Sequence, residues 1–594
     1  MALKTLEMLK RFSLILIIIL GFSLRLYGLN WDEGHHLHPD ERAIVMVSEK
    51  IRWPKEGEWS KLLTPESPLN PKFFAYGSFP IYLLKFTGFI GSFFDKTLVQ
   101  YDKINLLGRV LSALFDTATI FFIFPLTKNL FPNRPKIPIF AAFFYALSVL
   151  PIQLSHFFAV DTILNFFIWL TILWLTAYFE KPSIPKIAAA GTVAGLAIAT
   201  KFTGALLLAP SIIATILAAW CHHQKNGLQR GFRKFTTHLV LFAVNCSLFI
   251  FLAMPYAFID FPTFVVNISE QLRMAKDPYV FPFTLQYVNS TPYLYPLQQI
   301  FLWGLGPVIS LLALLGLLLL VSRTSITVYT MILRQKFRGE IAIPSLIVGT
   351  FCLLYFLILG QSAVKFMRYY LPLYPLLTIL AAYFIDTFLV RTKHVLGQYF
   401  ALITTILLLS ISLLWPLSFV NIYNKPNTRV TASDWIKKNI AEGSVLAVEH
   451  WDDRLPLSGG EKFSFVEMPM YDRDSSDTKW EKINGNLKKA DYIVLASNRL
   501  YTPLSKLTDC PKIKYEWRCY PKTDKYYREL FSGNLGFTKI VQFTNYPKFS
   551  ILNYLPIESA GWLEKLGQFS INDDSADENF TVFDHPKIII FKKQ

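Results

Sequence analysis

About 20 consecutive apolar residues cross a bilayer as a helix. This chain carries eleven such runs, at 12–29, 104–127, 137–155, 162–179, 186–200, 203–221, 236–256, 299–321, 342–360, 369–390 and 397–420. With 53% hydrophobic residues over 594 positions, it is too apolar for an ordinary soluble enzyme. The runs specify a polytopic α-helical membrane protein. A twelfth apolar stretch, 76–94, contains Gly77, Pro80, Lys85, Gly88 and Gly91 and is expected to lie at the interface as a helix. The first run resembles a signal peptide, but it lacks a small-residue cleavage site and has Arg25 near its outer end, so it reads as an uncleaved span.

Loop charge sets orientation, because basic residues stay on the cytoplasmic side. With the N-terminus inside, the inner loops hold Lys128, Arg134, Lys136, Lys181, Lys186, Lys225, Arg230, Arg233, Lys234, Arg323, Arg334, Lys336, Arg338, Arg391 and Lys393. The short outer connections hold only Lys201, Lys365 and Arg368. Much of the formal charge of +17 is therefore topological, and no nucleic-acid partner is expected. This orientation sends the segment 30–103, the loop at Asp161, the long loop 257–298 and everything after 423 to one outer side.

Residues 424–594 read as a soluble extracytoplasmic α/β domain, distinct from the membrane domain 1–423. The spacing predicts a helix at 431–440 capped at Thr431, strands at 444–449 and 463–467, a helix at 477–489 and a strand at 491–496. Later strands are expected at 537–543, 549–553 and 587–592. Cys221, Cys246 and Cys352 fall in or beside apolar runs, whereas Cys510 and Cys519 lie in the outer domain, where they can form one disulfide.

The stretch Asn30 to Arg42 leaves the first run carrying two acidic pairs, Asp32-Glu33 and Asp40-Glu41, with His35, His36 and His38 among them. Carboxylates at a membrane surface can deprotonate a hydroxyl or hold a metal beside a leaving phosphate. They can equally form a solvated, charge-rich loop. His38 and Asp40 are the candidate ligands for a divalent ion such as Mg or Mn, although the histidines lack the i,i+4 spacing of a helical site. Asp161 opens the fourth run, either as an N-cap or as a second acidic group with His156 just before it. Arg109 and Asp116 lie within the second run and must face protein or water, since each costs about 2.5–3.5 kcal/mol in lipid. Arg109, Lys201 and Arg368 are candidates for a phosphate group; snorkelling is the alternative for the last two. The loop 257–298 is long enough to be a lid. Glu449-His450-Trp451-Asp452-Asp453-Arg454 is site-like in composition, and a solvated loop by default.

A span followed by His38-Pro39-Asp40-Glu41-Arg42, with Pro80 opening an outer helix, resembles the first outer loop of the GT-C glycosyltransferase superfamily. The nearer resemblance is to glycosyltransferase family 39 and dolichyl-phosphate-mannose–protein mannosyltransferase-like proteins. It extends through Gly108-Arg109-Val110-Leu111-Ser112, Gln153 to Asp161, Ala199-Thr200-Lys201-Phe202 and Lys365 to Pro375. It implies a hexosyl- or pentosyltransferase, mannosyltransferase-like, that moves sugar from a polyprenyl-phosphate donor to an extracytoplasmic protein, lipid or glycan. It also implies that Asp40 is the catalytic acid or base with Glu41 beside it. Asp32 and Glu33 fit the same loose Asp-Glu pattern, and Asp161 is the further acidic candidate. A transporter or flippase is the alternative, but no repeated halves are visible.

Overall fold

The computed structural model describes residues 2–226, 228–334, 344–391, 394–550 and 568–594. Helices occupy the apolar runs. Among the described residues, six helices are long and apolar enough to cross a membrane. Ile137–Ala146 and Val149–Ser155, bent by 53°, make a seventh if they form one span. Ile184–Thr200 and Pro344–Gly360 are shorter apolar helices. The run expected at 299–321 breaks near Gly306, whose φ of 82° interrupts the helix before Pro307–Arg334. The stretch expected as a twelfth helix forms Phe79–Gly91, opened by Pro80. Basic-loop residues 335–343 and 392–393 lie outside the described residues, as do the side chains of Cys221, Lys225, Arg230 and Arg334.

A buried polar network joins the first four runs. Arg25 Nε donates to Asp116 at 2.6 Å, with neither side chain exposed. The Tyr145 hydroxyl donates to the other Asp116 oxygen at 2.6 Å, and Asn165 donates to Tyr145 at 2.8 Å. Each charge is matched, as an ionised group in such surroundings requires.

The C-terminal domain, expected on the outer side and called the outer domain for that reason, is built on a five-stranded sheet. Its strands are β1 (Val445–Glu449), β2 (Ser464–Met468), β3 (Tyr492–Leu495), β4 (Phe537–Phe543) and β7 (Ile588–Lys593). The spatial order is β2-β1-β3-β7-β4: β1 runs parallel to β2 and β3, while β7 is antiparallel to β3 and β4. Two short strands, β5 (Lys548–Ser550) and β6 (Gln568–Ser570), pair separately. Part of the expected strand 549–553 lies outside the described residues.

The first helix of the domain begins earlier than expected, at Thr428–Asn439. Its cap is Asn427, whose side chain accepts from the Arg429 amide and donates to the Phe583 and Asp584 carbonyls. Thr431 lies inside the helix, its hydroxyl donating to the Asn427 carbonyl. A further helix, Pro521–Ser532, has no counterpart in the sequence reading. Cys510 and Cys519 pair in a disulfide, with Cα atoms 5.4 Å apart.

Glu449, at the end of β1, is buried and receives the Tyr527 hydroxyl on one oxygen, while its other oxygen meets no partner among the described residues. Burial pushes its carboxyl up to about 8 despite that hydrogen bond. A folded-state value above the ordinary carboxylate range contributes stability that is full below that range and is lost as pH rises toward 8. The melting temperature of the full-length protein in detergent should therefore fall between pH 5 and 8. Glu449→Gln should flatten that slope; an unchanged slope would show that Glu449 ionises freely.

Candidate active site

His38, Pro39 and Asp40 start the helix Pro39–Lys50, with Pro39 at its first position and His38 as its cap. The His38 Nδ1 accepts from the Glu41 amide at 3.3 Å. Asp40 and Glu41 thus lie in the first turn, where the helix dipole favours negative charge. Successive residues on a helix point about 100° apart. Glu41 turns inward and Asp40 turns to a cavity.

Inward, Arg109 is fully buried and grips both acidic pairs. Its Nη1 and Nη2 donate to Asp32 at 2.9 and 2.8 Å, and its Nη2 and Nε donate to Glu41 at 2.6 and 2.9 Å. Nη1 also reaches the Leu29 carbonyl at 2.7 Å, and the Trp31 ring lies 4.9 Å from the guanidinium. Glu41 receives the Phe158 amide at 2.8 Å, and Asp32 receives those of Gly34 and Leu37. Burial opposes ionisation of Asp32, yet Arg109 and these donors hold its carboxyl below the usual range. Arg109, expected to meet a donor phosphate, is instead saturated by protein; Glu41 and Asp32 are occupied in the same clamp. Glu33 is exposed, with a φ of 51°.

Outward, Asp40 pairs with Arg368 and accepts from Tyr76. Burial alone would raise the Asp40 carboxyl, but the Arg368 cation overrides it and holds it at about 2. Arg368 is the second residue of the tight helical turn Met367–Leu373, and its Nε is buried with no partner among the described residues. Lys201, at the end of Ile184–Thr200, donates to Asp161 at 2.8 Å. Asp161 is the first residue of its helix rather than the cap, and Val160 takes the flanking position. The Tyr369 ring ties the two ion pairs together, with Lys201 Nζ 4.3 Å and the Arg368 guanidinium 5.9 Å from its centroid. Gly77 completes this junction. Its amide donates to the Thr200 carbonyl at 3.0 Å, and a Cβ there would sit 1.8 Å from the Ala199 oxygen.

His156 is set apart from the cavity. Its ring nitrogens lie on the Ile152 and Tyr27 carbonyls, and its face stacks on Tyr423 at 3.8 Å. His38 is likewise buried, 4.4 Å from each of the Phe157 and Phe583 rings, and desolvation drives it down to about 3. With Nδ1 engaged in the cap and Asp40 engaged by Arg368, the donor set expected for Mg or Mn does not fit a metal. No group of three potential ligands is assembled among the described residues.

Asp40, Arg368, Tyr76 and Tyr369 line a cavity of about 500 Å³. Gln271, Met274 and Phe283, from the expected lid, form one side. Trp451, Asp452, Asp453, Arg499, Glu578 and Asn579, from the outer domain, form the wall beyond. Tyr76, Tyr369, Arg499 and Glu578 join the site without any chemical signal in the sequence. Only their positions beside quoted motifs or after a strand marked them. A second cavity, about 520 Å³ and mainly apolar, lies at the other end of the Pro39–Lys50 helix, between Ile51, Leu69, Tyr82, Phe86 and Tyr256.

Residues 103–252 match the model of the dolichyl-phosphate-mannose-protein mannosyltransferase family. The match spans the second to seventh apolar runs and bears out the resemblance to GT-C glycosyltransferases. No curated protein matches the chain in sequence. Among solved structures, the oligosaccharyltransferase AglB of Archaeoglobus fulgidus, in complex with an inhibitory peptide and a dolichol-phosphate, is similar over 99% of this chain and 88% of its own. That likeness is at 11% identity and a TM-score of 0.48. ArnT of Cupriavidus metallidurans, bound to undecaprenyl phosphate, is similar over 85% and 96%, at 14% identity and a TM-score of 0.42. The protein O-mannosyltransferase complex of S. cerevisiae, bound to the sugar donor, aligns over 43% and 34%, at 14% identity and a TM-score of 0.33.

Removing Arg109 strands two buried carboxylates, a loss on the order of 3–5 kcal/mol. Arg109→Met should lower the melting temperature of the detergent-solubilised protein sharply. Arg109→Lys should not restore it, because an ammonium cannot fork to both acids. Full rescue by lysine would contradict the clamp.

Proposed function

We propose that this protein is a membrane glycosyltransferase that moves a sugar from a polyprenyl-phosphate donor to an acceptor hydroxyl outside the cytoplasm. The observation that carries the reading is the row Asp40–Arg368–Tyr369–Lys201–Asp161, of which Asp40, Arg368 and Tyr369 line the cavity and the Lys201–Asp161 pair adjoins it across the Tyr369 ring: carboxylates to handle a proton, cations to receive a phosphate, and an Arg368 Nε–H with no partner among the described residues. The loop charges support the orientation it needs, with the N-terminus cytoplasmic and the C-terminal domain extracytoplasmic.

In this reading the donor phosphate docks on the Nε edge of Arg368 and near Lys201. The apolar groove at the far end of the Pro39–Lys50 helix offers its isoprenoid chain a surface away from water. A phosphate anion beside Asp40 raises the proton affinity of its carboxylate, which Arg368 otherwise suppresses. Asp40 then accepts the acceptor's hydroxyl proton as the oxygen attacks the anomeric carbon. The bond from that carbon to the phosphate oxygen breaks, and its electron pair leaves with the polyprenyl phosphate. Arg368 and Lys201 stabilise the charge developing on that oxygen. Asp161 holds Lys201 in place. No metal step is needed by these residues.

A positioned base contributes about 10²–10⁴-fold. Asp40→Asn should reduce transfer of labelled sugar from polyprenyl-phosphate donors in purified membranes by that factor, while binding of undecaprenyl phosphate persists. Equal turnover by the two proteins would remove Asp40 from the chemistry.

A further inference from the structure

The wall facing Asp40 comes from the outer domain, and its placement follows from the sheet. Trp451, Asp452 and Asp453 come just after the carboxyl end of β1, and Arg499 follows that of β3. Glu578 and Asn579 precede β7. In open α/β sheets, ligands settle outside the carboxyl ends of parallel strands. Here that edge is turned onto the cavity of the membrane domain.

Trp451 has a φ of 81°, a left-handed conformation that a bulky residue adopts only under constraint. It is 48% exposed, so burial of its ring does not offset that cost. The backbone is held there by its neighbours. The Asp452 amide donates to the Glu449 carbonyl at 3.3 Å, the Asp452 side chain takes Arg429 at 3.1 Å and the Ser497 hydroxyl, and the Asp453 amide closes on Asp452 Oδ1 at 2.8 Å. An indole is thus presented to the cavity by a braced, strained turn. Beside it, Asp453 is 22% exposed, and Arg499 pairs with Glu578 at 2.7 Å with both ends on the cavity lining.

We infer that this wall is an acceptor subsite for a carbohydrate, a glycan or a glycolipid headgroup; this rests on the transferase reading and names the class of its second substrate. The C–H face of a pyranose stacks on an indole, and its neighbouring hydroxyls are matched by carboxylates and a guanidinium at the ring's edge. The lining offers an extended peptide no strand edge to pair with: Trp451 to Asp453, Arg499 and Glu578 all lie in loops or a short helix, so the main-chain ladder of strand addition is absent. Asp40 and the donor phosphate stand on one side of the cavity, and the sugar bearing the nucleophilic hydroxyl enters from the other.

The test uses the full-length protein in detergent micelles, with saturation-transfer NMR on maltotriose, mannotriose, chitotriose and a serine/threonine hexapeptide. At least one trisaccharide should show saturation transfer, and the peptide should neither show it nor compete. Trp451→Gly suits the left-handed backbone, so it should melt no lower than wild type while weakening trisaccharide binding at least tenfold. Trp451→Phe should retain much of that binding. Undecaprenyl phosphate binding, followed by native mass spectrometry, should be the same in all three proteins. Absence of saccharide binding, undiminished binding by Trp451→Gly, or competition by the peptide would overturn the inference. Asp40→Asn separates it from the transferase reading: that variant should bind the trisaccharide normally. If it also transferred sugar normally, the mechanism would fall and the subsite would stand.

Discussion

The arrangement hangs on one buried guanidinium. Arg109 takes Asp32 from one acidic pair and Glu41 from the other, and so fixes the rotation of the helix that begins at Pro39. Because neighbouring helical residues diverge by about 100°, pinning Glu41 to the interior commits Asp40 to the cavity. A carboxylate pair without Arg109 would carry two uncompensated charges in an apolar surround, and the loop would have no reason to stay. The acidic stretch is therefore mostly scaffold, and its scaffold part is what gives one remaining carboxylate a defined direction.

The second constraint is the seam between the two halves. Asp584 accepts from Gln153 at 3.0 Å and from the Tyr423 hydroxyl at 2.9 Å, while His585 bridges Asp584 and Asp573. The pair of opposed acids lifts His585 to about 10 against the cost of burial, so it stays cationic where it is needed. On the other flank, Asp277 binds Lys514 at 2.9 Å and the Tyr515 hydroxyl at 2.7 Å, and Asp577 receives Tyr287 and Tyr295. The segment expected as a lid is thus bound to the outer domain, and residues of both enclose the same cavity.

Several sequence expectations were local in origin and survive as such. The helix 477–489 and the strand 537–543 appear within the residues expected, because their signals lie in their own periodicity. The cap at Thr431 failed because Asn427 is recruited by the Phe583 and Asp584 carbonyls, some 150 residues away in sequence. Arg109 is expected at a phosphate because an ionised group within a span must face protein or water, and His156 is expected near the site because it shortly precedes Asp161. Nothing in their local sequence records that Asp32, Glu41 and the backbone carbonyls of Leu29, Tyr27 and Ile152 already claim them.

Sequence alone determined that the chain is a helical membrane protein with a C-terminal α/β domain, since apolar run length and strand alternation are properties of contiguous residues. It also singled out Asp40, Asp161, Lys201 and Arg368 as polar groups without a topological excuse. Which carboxylate meets which cation was decided only in three dimensions. Pairing inside a low-dielectric interior is a competition among all charges within a few ångströms, and those charges come from helices, turns and strands far apart along the chain. The same holds for the wall opposite Asp40, which exists only because the sheet of residues 445–593 turns the carboxyl ends of its parallel strands onto the cavity.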